Sequence, residues 1–585
     1  MRVNRIKRKN TEYYYIIKDI NKNGSKTTKT VASLGSRETI QKSHPNIDPF
    51  EWAQKQANIM TTAAKNDFIT IKPIYSSKEQ LPLKTTTDGT FIKSPLKNIG
   101  YLFLQDIYYN LGLDKTMSSI SQKYRFQYDL NEALTNLIYS RILHPASKRA
   151  SLAYAQNFLE SPNITIDQMY QSLSVLAKES DQIESTVYKN SLKVVPRNTK
   201  ILYYDCTNFY FEIEQEDGIK KYGRSKENRP NPIVQMGLFI DGSGIPLAFT
   251  IDAGNTNEQT TLKPLEHRIM KDFGLSKFIV CTDAGLSSYA NRRYNTMAER
   301  AYITTQSIKK LTNDLKNWAL NPMGWHLPDD FKEYSLNEID DSTSNHHIYY
   351  KECWIPESKN KPEERLIVTY SPIYKNYQRS IRERQINRAQ KNAASPQSMK
   401  HKNANDPNRF IKEKHYTSDG EIADKAIYEI DENAVKKEAQ YDGFYAVSTN
   451  LDSDASEIIK INHGRWEIEQ CFRTMKHDFD SRPVFLQRED RIKAHFLICF
   501  LALLHFRILR SKVENTSVNQ QYSGEAILSQ LKLMNAEPIV GEGFIPKYYR
   551  TELTDILHQS FGFRTDTQAI SKKKMKEILK QTKNR

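Results

Sequence analysis

ILYYDCTNFYFEI, residues 201–213, is an apolar and aromatic run of strand character with an aspartate, Asp205, in its middle. A carboxylate inside such a run is costly unless it is paired or binds a metal. A second run, KFIVCTDAGLSS (277–288), carries β-branched and aromatic residues straight into Asp283 and a glycine-containing turn. The carboxyl end of a strand is where open α/β sheets place their chemistry. Either aspartate alone reads equally as a turn residue or a helix cap. Around them the sequence predicts strands at 233–241 and 245–252, separated by the hairpin signal Asp241-Gly242-Ser243-Gly244. A helix is expected from about 259 to 273, another after Ser287, and a short strand at 301–306.

A third stretch supplies the partner for those two acids. GRWEIEQCFRTMK, Gly464–Lys476, wound at ~100° per residue, gathers Arg465, Glu469, Arg473 and Lys476 within an arc of roughly 80°. Ile468, Cys471, Phe472, Met475 and Phe479 fill the neighbouring apolar arc. An ordinary amphipathic helix with i,i+4 pairs shows the same mixture, so the weight comes from the three acids together. Two strand aspartates and a helix glutamate suit hard divalent cations, which prefer oxygen ligands. Two such ions about 4 Å apart can drive an in-line phosphoryl displacement. Arg465, Arg473 and Lys476 would then face phosphates. Trp466 falls about 60° outside the arc, and packing beneath the helix is expected for it.

The order Asp205, Asp283, Glu469, with the glutamate inside Arg-x3-Glu-x6-Lys, resembles the DDE transposases of bacterial insertion sequences, in the branch with a long insertion before the glutamate helix. YGRSKENRPNPIVQMGLFIDGSGIPLAFTIDAGNTNE (222–258), YDGFYAVSTN (441–450) and RPVFLQREDRIKAHFLICFLALL (482–504) fit the same family, and the likeness spans roughly residues 100–510. Two positions depart from it. The tyrosine usual three residues before the arginine is Asn462, and the aspartate usual after the Arg-Pro pair is Asn231. The resemblance implies an RNase H-like catalytic core with metal ligands Asp205, Asp283 and Glu469, and with Arg465, Arg473 and Lys476 on DNA. It further implies two Mg²⁺ ions, with Mn²⁺ as a substitute, and DNA cleavage at the element's ends followed by strand transfer. The implied partners are double-stranded DNA, as terminal inverted repeats and target, and a second copy of the chain. The cytoplasm of a bacterium, at the nucleoid, is the implied location. A non-catalytic DNA-binding descendant and a two-metal nuclease that never joins DNA are the alternatives.

Composition agrees. The chain has 585 residues, a net charge of +16 and a pI near 9.2, which favours a polyanionic partner. The charge is concentrated: residues 1–30 hold nine Lys/Arg against two acids, 375–415 eleven against three, and 572–585 seven against one. In the middle patch Arg379, Arg382, Arg384 and Arg388 recur at helical spacing, expected as a DNA-contacting helix with a polar, loop-like neighbour, KNAASPQSMKHKNANDPN. The last patch reads as a solvated or frayed terminal helix. Cys206, Cys281, Cys353, Cys471 and Cys499 form no CxxC pair, which indicates neither a zinc site nor a disulfide framework. MRVNRIKRKN lacks the apolar core of a secretory signal. The run from Phe496 to Phe506 is too short to span a bilayer and reads as a buried helix that includes His505. No GxxxxGK[ST] pattern occurs, which argues against a nucleotide-driven motor.

The expected architecture is α/β, with an RNase H-like core interrupted by a mainly β insertion domain and preceded by a small β region and a helical domain. Residues 1–95 read as β-rich with a hairpin through Asn23-Gly24 and a polar connector ending near Gly89. Residues 96–195 read as a helical, DNA-end-binding domain, 196–306 as the first part of the core, and 307–440 as the insertion. Residues 441–510 complete the core, and 511–585 form a C-terminal helical region with a basic tail. Trp318, Trp325 and Trp354 lie in the insertion, where core packing is expected for at least two of them; in the related branch this domain holds a DNA end.

Overall fold

The structure, a computed structural model, describes residues 1–8, 11–22, 25–65, 96–328, 330, 332–340, 346–358, 362–394, 406–416, 425–517, 520–539 and 542–584. Two compact units are present, one drawn from Met1–Ile92, Ala536–Lys547 and Thr567–Ile578, the other from Lys93–Asn535, Tyr548–Asp566 and Leu579–Arg585. In the first, Arg2–Arg8 (β1), Thr11–Lys22 (β2) and Ser25–Ser36 (β3) form an antiparallel sheet that closes at Lys22↔Ser25. The expected turn residues Asn23 and Gly24 lie outside the described residues, as does the polar connector. Helices Arg37–Ser43 (α1) and Pro49–Lys65 (α2) follow, and Tyr14, Ile40 and Ala53 are buried together beside Phe50 and Trp52.

The second unit begins with Lys97–Asn98 (β4) and the expected helical stretch. Six helices run Tyr101–Asn110 (α3), Leu113–Tyr124 (α4), Leu130–Leu143 (α5), Lys148–Ala155 (α6), Ile166–Lys178 (α7) and Ser180–Val194 (α8). Their starts follow from local chemistry. Asp129 and Ser147 cap α5 and α6 through their side-chain oxygens, and Thr165 with Gln168 forms a capping box on α7. Helix α5 is apolar on nearly every side because it lies among α3, α4, α6 and α7.

Beyond it stands the sheet that positions the site. Ile201–Tyr210 (β5), Ile233–Asp241 (β6) and Pro246–Ala253 (β7) are antiparallel neighbours. Helix Leu262–Arg268 (α9), continued by a π-helical turn to Phe273, crosses to Ile279–Thr282 (β8), which pairs with β5 in parallel. Helix Tyr289–Tyr294 (α10) leads to Ala301–Thr305 (β9), parallel to β8. One face of this sheet buries Leu202, Tyr204, Cys206 and Val280 against Leu262 and Leu265 of α9. The predicted elements of residues 201–306 are thus all present, within a few residues of their expected ends.

The stretch 307–440 differs from the expectation of a separate, mainly β domain. After Asn313–Leu320 (α11), strands Tyr349–Ile355 (β10) and Glu364–Tyr370 (β11) extend the main sheet, β11 pairing with Phe444–Thr449 (β14) and β14 with β9. The full order is β10-β11-β14-β9-β8-β5-β6-β7. The continuous apolar run Leu366–Val368 fits a central strand as well as it fits a small independent sheet, and the sequence does not distinguish the two. Helix Pro372–Ala393 (α12) makes the described insertion more helical than expected. A small subdomain follows it, made of strands Ile411–Tyr416 (β12) and Lys425–Ile430 (β13) with helix Glu432–Ala439 (α13), packed around Ala389, Phe410 and Ile411. Trp325 is fully buried and Trp318 packs on the same cluster, while Trp354 is exposed. In α12, Arg379, Arg384 and Arg388 are exposed, but Arg382 turns inward to pair with Asp442 at 2.5 Å. Most of the polar neighbour, residues 395–405, lies outside the described residues.

Helices Ala455–His463 (α14), Trp466–Arg473 (α15) and Glu489–Thr516 (α16) complete the core. By length and composition α16 could cross a membrane, but 94% of its most apolar window is buried inside the protein, as expected for a core helix. The C-terminal region is helical through Gly524–Leu533 (α17), Glu552–Phe561 (α18) and Lys572–Gln581 (α19), with three short antiparallel strands added, Asn535–Ile539 (β15), Gly543–Pro546 (β16) and Ile570–Ser571 (β17). The basic tail is an ordered helix that buries Met575 and Ile578, not a frayed end.

Candidate active site

Strand alternation decides where Asp205 goes. Leu202, Tyr204 and Cys206 take the α9 face of β5, so Tyr203 and Asp205 take the other, where the Tyr203 hydroxyl donates to the Ile461 carbonyl of α14 at 2.9 Å. The parallel register Tyr203↔Cys281, carried two residues further, brings Asp205 level with Asp283 just past the end of β8. Asp283 is fixed by its own turn: Oδ1 accepts the N–H groups of Gly285 at 2.9 Å and Leu286 at 3.2 Å. Asp205 Oδ1 accepts from Cys206 N–H at 2.7 Å. Burial pushes the Asp205 carboxyl up to about 6; the Lys226 ammonium opposes this and the Asp283 charge adds to it.

Lys226, in the loop after Gly223, stands 3.9 Å from Asp205 Oδ1 and 3.5 Å from Glu258 Oε1, and donates to the Cys206 carbonyl. Lys226, Glu258 and Gly285 line a polar cavity of about 650 Å³ between the turns at 223–228 and 254–258.

The glutamate helix is α-helical only to Arg473; Thr474–Asp478 is a π-helical turn. That extra residue per turn takes Lys476 away from Glu469. Lys476 Nζ lies 3.3 Å from Glu227 Oε1 and 5.4 Å from the Phe209 ring centre, and burial brings it down to about 8, helped by Lys226 and opposed by Asp205. Arg473 is exposed. Glu469 is 61% exposed and lies 3.7 Å from Arg465 Nη2. Arg465 is held above its ordinary value in spite of burial, by Tyr445, Cys281, Asp205 and Glu469 in turn. Arg465, Trp466 and Glu469 line a cavity of about 290 Å³ with Tyr374, Tyr445 and Asn462. Trp466 is half exposed there and is not packed beneath its helix, which corrects the expectation.

Among the described residues, the structure therefore brings Asp205 and Asp283 together and connects Glu469 to them through Arg465. The chemistry of the donors fits a hard cation: one aspartate is largely buried with its partner beside it. The fit is incomplete in this conformation, because among the described residues no three His, Cys, Asp or Glu side chains form a group able to hold one metal ion. Four residues near the site had no role in the sequence reading although they lie in the quoted stretches: Lys226, Glu227, Glu258 and Tyr445. The strand periodicity of 444–449 marks Tyr445 only as a sheet residue. In the fold its hydroxyl pairs with Thr305 Oγ1 at 2.6 Å and accepts from Asn462 Nδ2 at 3.3 Å, which puts a tyrosine beside the position where Asn462 departs from the family pattern.

The family model of the transposase DDE domain matches residues 196–504, more than half of the chain. The chain belongs to the DDE transposase family. The match covers both aspartates, the insertion and the glutamate helix of the transposase. No curated protein matches the sequence. Among solved structures, the transposase is similar to the piggyBac transposase synaptic complex with hairpin DNA, at 8% identity and a TM-score of 0.33, covering 82% of this chain and 88% of that one.

Proposed function

We propose that this transposase cuts DNA at the ends of its own mobile element and joins the freed 3′-hydroxyl to target DNA, as a dimer that holds both ends, in the bacterial cytoplasm. The observation that carries the reading is the pair formed by Asp205, midway along β5, and Asp283, just past the end of the parallel neighbour β8, with Arg465 linking it to Glu469. The strand order β7-β6-β5-β8-β9, antiparallel then parallel, supports an RNase H-like core. Asp205, Asp283 and Glu469 would hold divalent magnesium, two ions in all, which supply activation of the attacking oxygen and stabilisation of the leaving one when bound. The chain's own work is to position. Arg465 and Lys476 bind the phosphates flanking the scissile bond, and Lys226 withdraws from Asp205 as the site fills. Glu469, largely exposed and held only loosely by Arg465 at 3.7 Å, would leave that arginine to join the aspartates.

One observation favours a second reading, a DNA-binding descendant without turnover: the three acids do not form a closed group among the described residues. Incubation with Mg²⁺, a labelled duplex carrying the element's terminal repeat and a supercoiled target decides between them. Cleavage at the repeat boundary with a joined product, lost in Glu469→Gln, supports the transposase. Cleavage without joining identifies a nuclease, and repeat binding without cleavage identifies the descendant.

A further inference from the structure

Beside the catalytic strand, one carboxylate is surrounded by three cations. Glu227 Oε1 takes Lys476 Nζ at 3.3 Å and the Arg482 guanidinium, and its Oε2 lies 3.8 Å from Arg229 Nε. The side chains of Glu227, Lys476 and Arg482 are 23%, 12% and 17% exposed, and that of Arg229 is 49% exposed, so two of the three cations are largely withdrawn from water and the third opens the cluster to it. Arg229 lies over the Tyr210 ring at 4.2 Å and Lys476 over Phe209. Those two aromatics end β5, the strand that carries Asp205, and Glu227 follows Lys226, whose ammonium is 3.9 Å from that acid, so the cluster adjoins the site.

Three half-buried cations around one carboxylate repel one another, and a single anion with several lone pairs holds them together. A phosphodiester offers two unesterified oxygens of the same charge, and arginine forks recognise that geometry well. We propose that Arg229, Lys476 and Arg482 form a binding site for a backbone phosphate of DNA, and that Glu227 is its built-in surrogate, displaced when the phosphate enters. This rests on the transposase reading above. The neighbour of Glu227 in the chain is Lys226, whose ammonium faces Asp205. Displacing Glu227 therefore also moves the loop that covers the catalytic acid, and DNA entry and opening of the acid become one event.

The test uses the full chain, a short fluorescein-labelled duplex and a salt titration. Glu227→Gln keeps the shape but removes the competing anion. It is expected to bind duplex about fivefold more tightly at low salt, with a log K against log [salt] slope steeper by about 1. Arg482→Gln should bind more weakly with a shallower slope. In the absence of DNA, Glu227→Gln should melt below wild type and be raised by inorganic phosphate more than wild type is. Equal or weaker duplex binding by Glu227→Gln, without added stabilisation by phosphate, overturns the surrogate while leaving the transposase reading intact. A wild-type chain that binds no duplex overturns both.

Discussion

Lys226 Nζ stands 3.9 Å from Asp205 Oδ1, so the most buried acid of the site faces an ammonium from a loop rather than from the sheet that positions it. The pairing is loose, and burial still holds the Asp205 carboxyl at about 6 against an ordinary 3.8. An acid raised in this way is destabilising when ionised. Its cost is complete above about pH 6 and absent below about pH 4.

Asp205→Asn is therefore expected to abolish cleavage and to stabilise the metal-free protein. The gain at pH 7 has an upper bound of about 3 kcal/mol. Thermal unfolding followed from pH 7.5 to 4 should show the mutant's advantage shrinking towards zero. An unchanged or lowered Tm at pH 7 would mean that Lys226 compensates Asp205 fully.

Lys476 titrates in the opposite sense. Its ammonium is held down to about 8, so it is charged below that pH and neutral above it. Duplex affinity should fall by about tenfold between pH 7 and 9, the worth of one charge-assisted bond of roughly 1.5 kcal/mol. Phosphate contact raises the lysine's pKa, so the midpoint should lie somewhat above 8. Lys476→Arg, which keeps its charge, should bind with a flat profile over that range.

Lys148 is a buried cation with no carboxylate among the groups that set its pKa; only the Cys499 thiol acts to raise it. Its Nζ lies 3.2 Å from His495 Nδ1, Cys499 is on the far side of that ring, and Arg141 donates to the Phe479 and Asp480 carbonyls nearby. Burial, with Arg141 adding to it, lowers Lys148 to about 7. A lysine lowered in the fold costs stability fully below that value and not at all above about 10.5. Lys148→Met should raise stability at pH 6.5 by on the order of 3 kcal/mol, after allowance for the lost hydrogen bond. Chemical denaturation should show that gain fading as the pH approaches 10. A loss at both pH values would show that the amine is needed to hold the turn after the glutamate helix.

The order of strands and helices was legible because the apolar and aromatic run around Asp205 and a hairpin at Gly242 leave few alternatives. Two things were not. The π-helical turn at Thr474–Asp478 breaks the wheel on which Lys476 shares an arc with Glu469, and nothing in the local residue types announces it. The addition of β10 and β11 to the main sheet depends on pairing across a long insertion, where register comes from tertiary packing. Lys226, Glu227 and Glu258 were invisible for a related reason: they sit in a loop and at the start of a short 3-10 turn, and only the fold brings their charges beside β5.

Gly464, which opens the glutamate helix, carries the last prediction. A Cβ there would lie 2.2 Å from the Tyr203 hydroxyl and 2.9 Å from Cζ of the same ring. Tyr203 is on β5, two residues before Asp205, and its hydroxyl holds the Ile461 carbonyl one turn before the helix. The glycine thus allows the helix bearing Arg465 and Glu469 to approach the strand bearing Asp205. Gly464→Ala should force the two apart, destabilise the protein by about 1–3 kcal/mol and reduce cleavage more than DNA binding. Tyr203→Phe removes the nearer of the two clashing atoms, so Gly464→Ala in that background should recover part of the lost cleavage. Strictly additive effects of the two substitutions would show that the close approach of helix and strand does not set the geometry of the three acids.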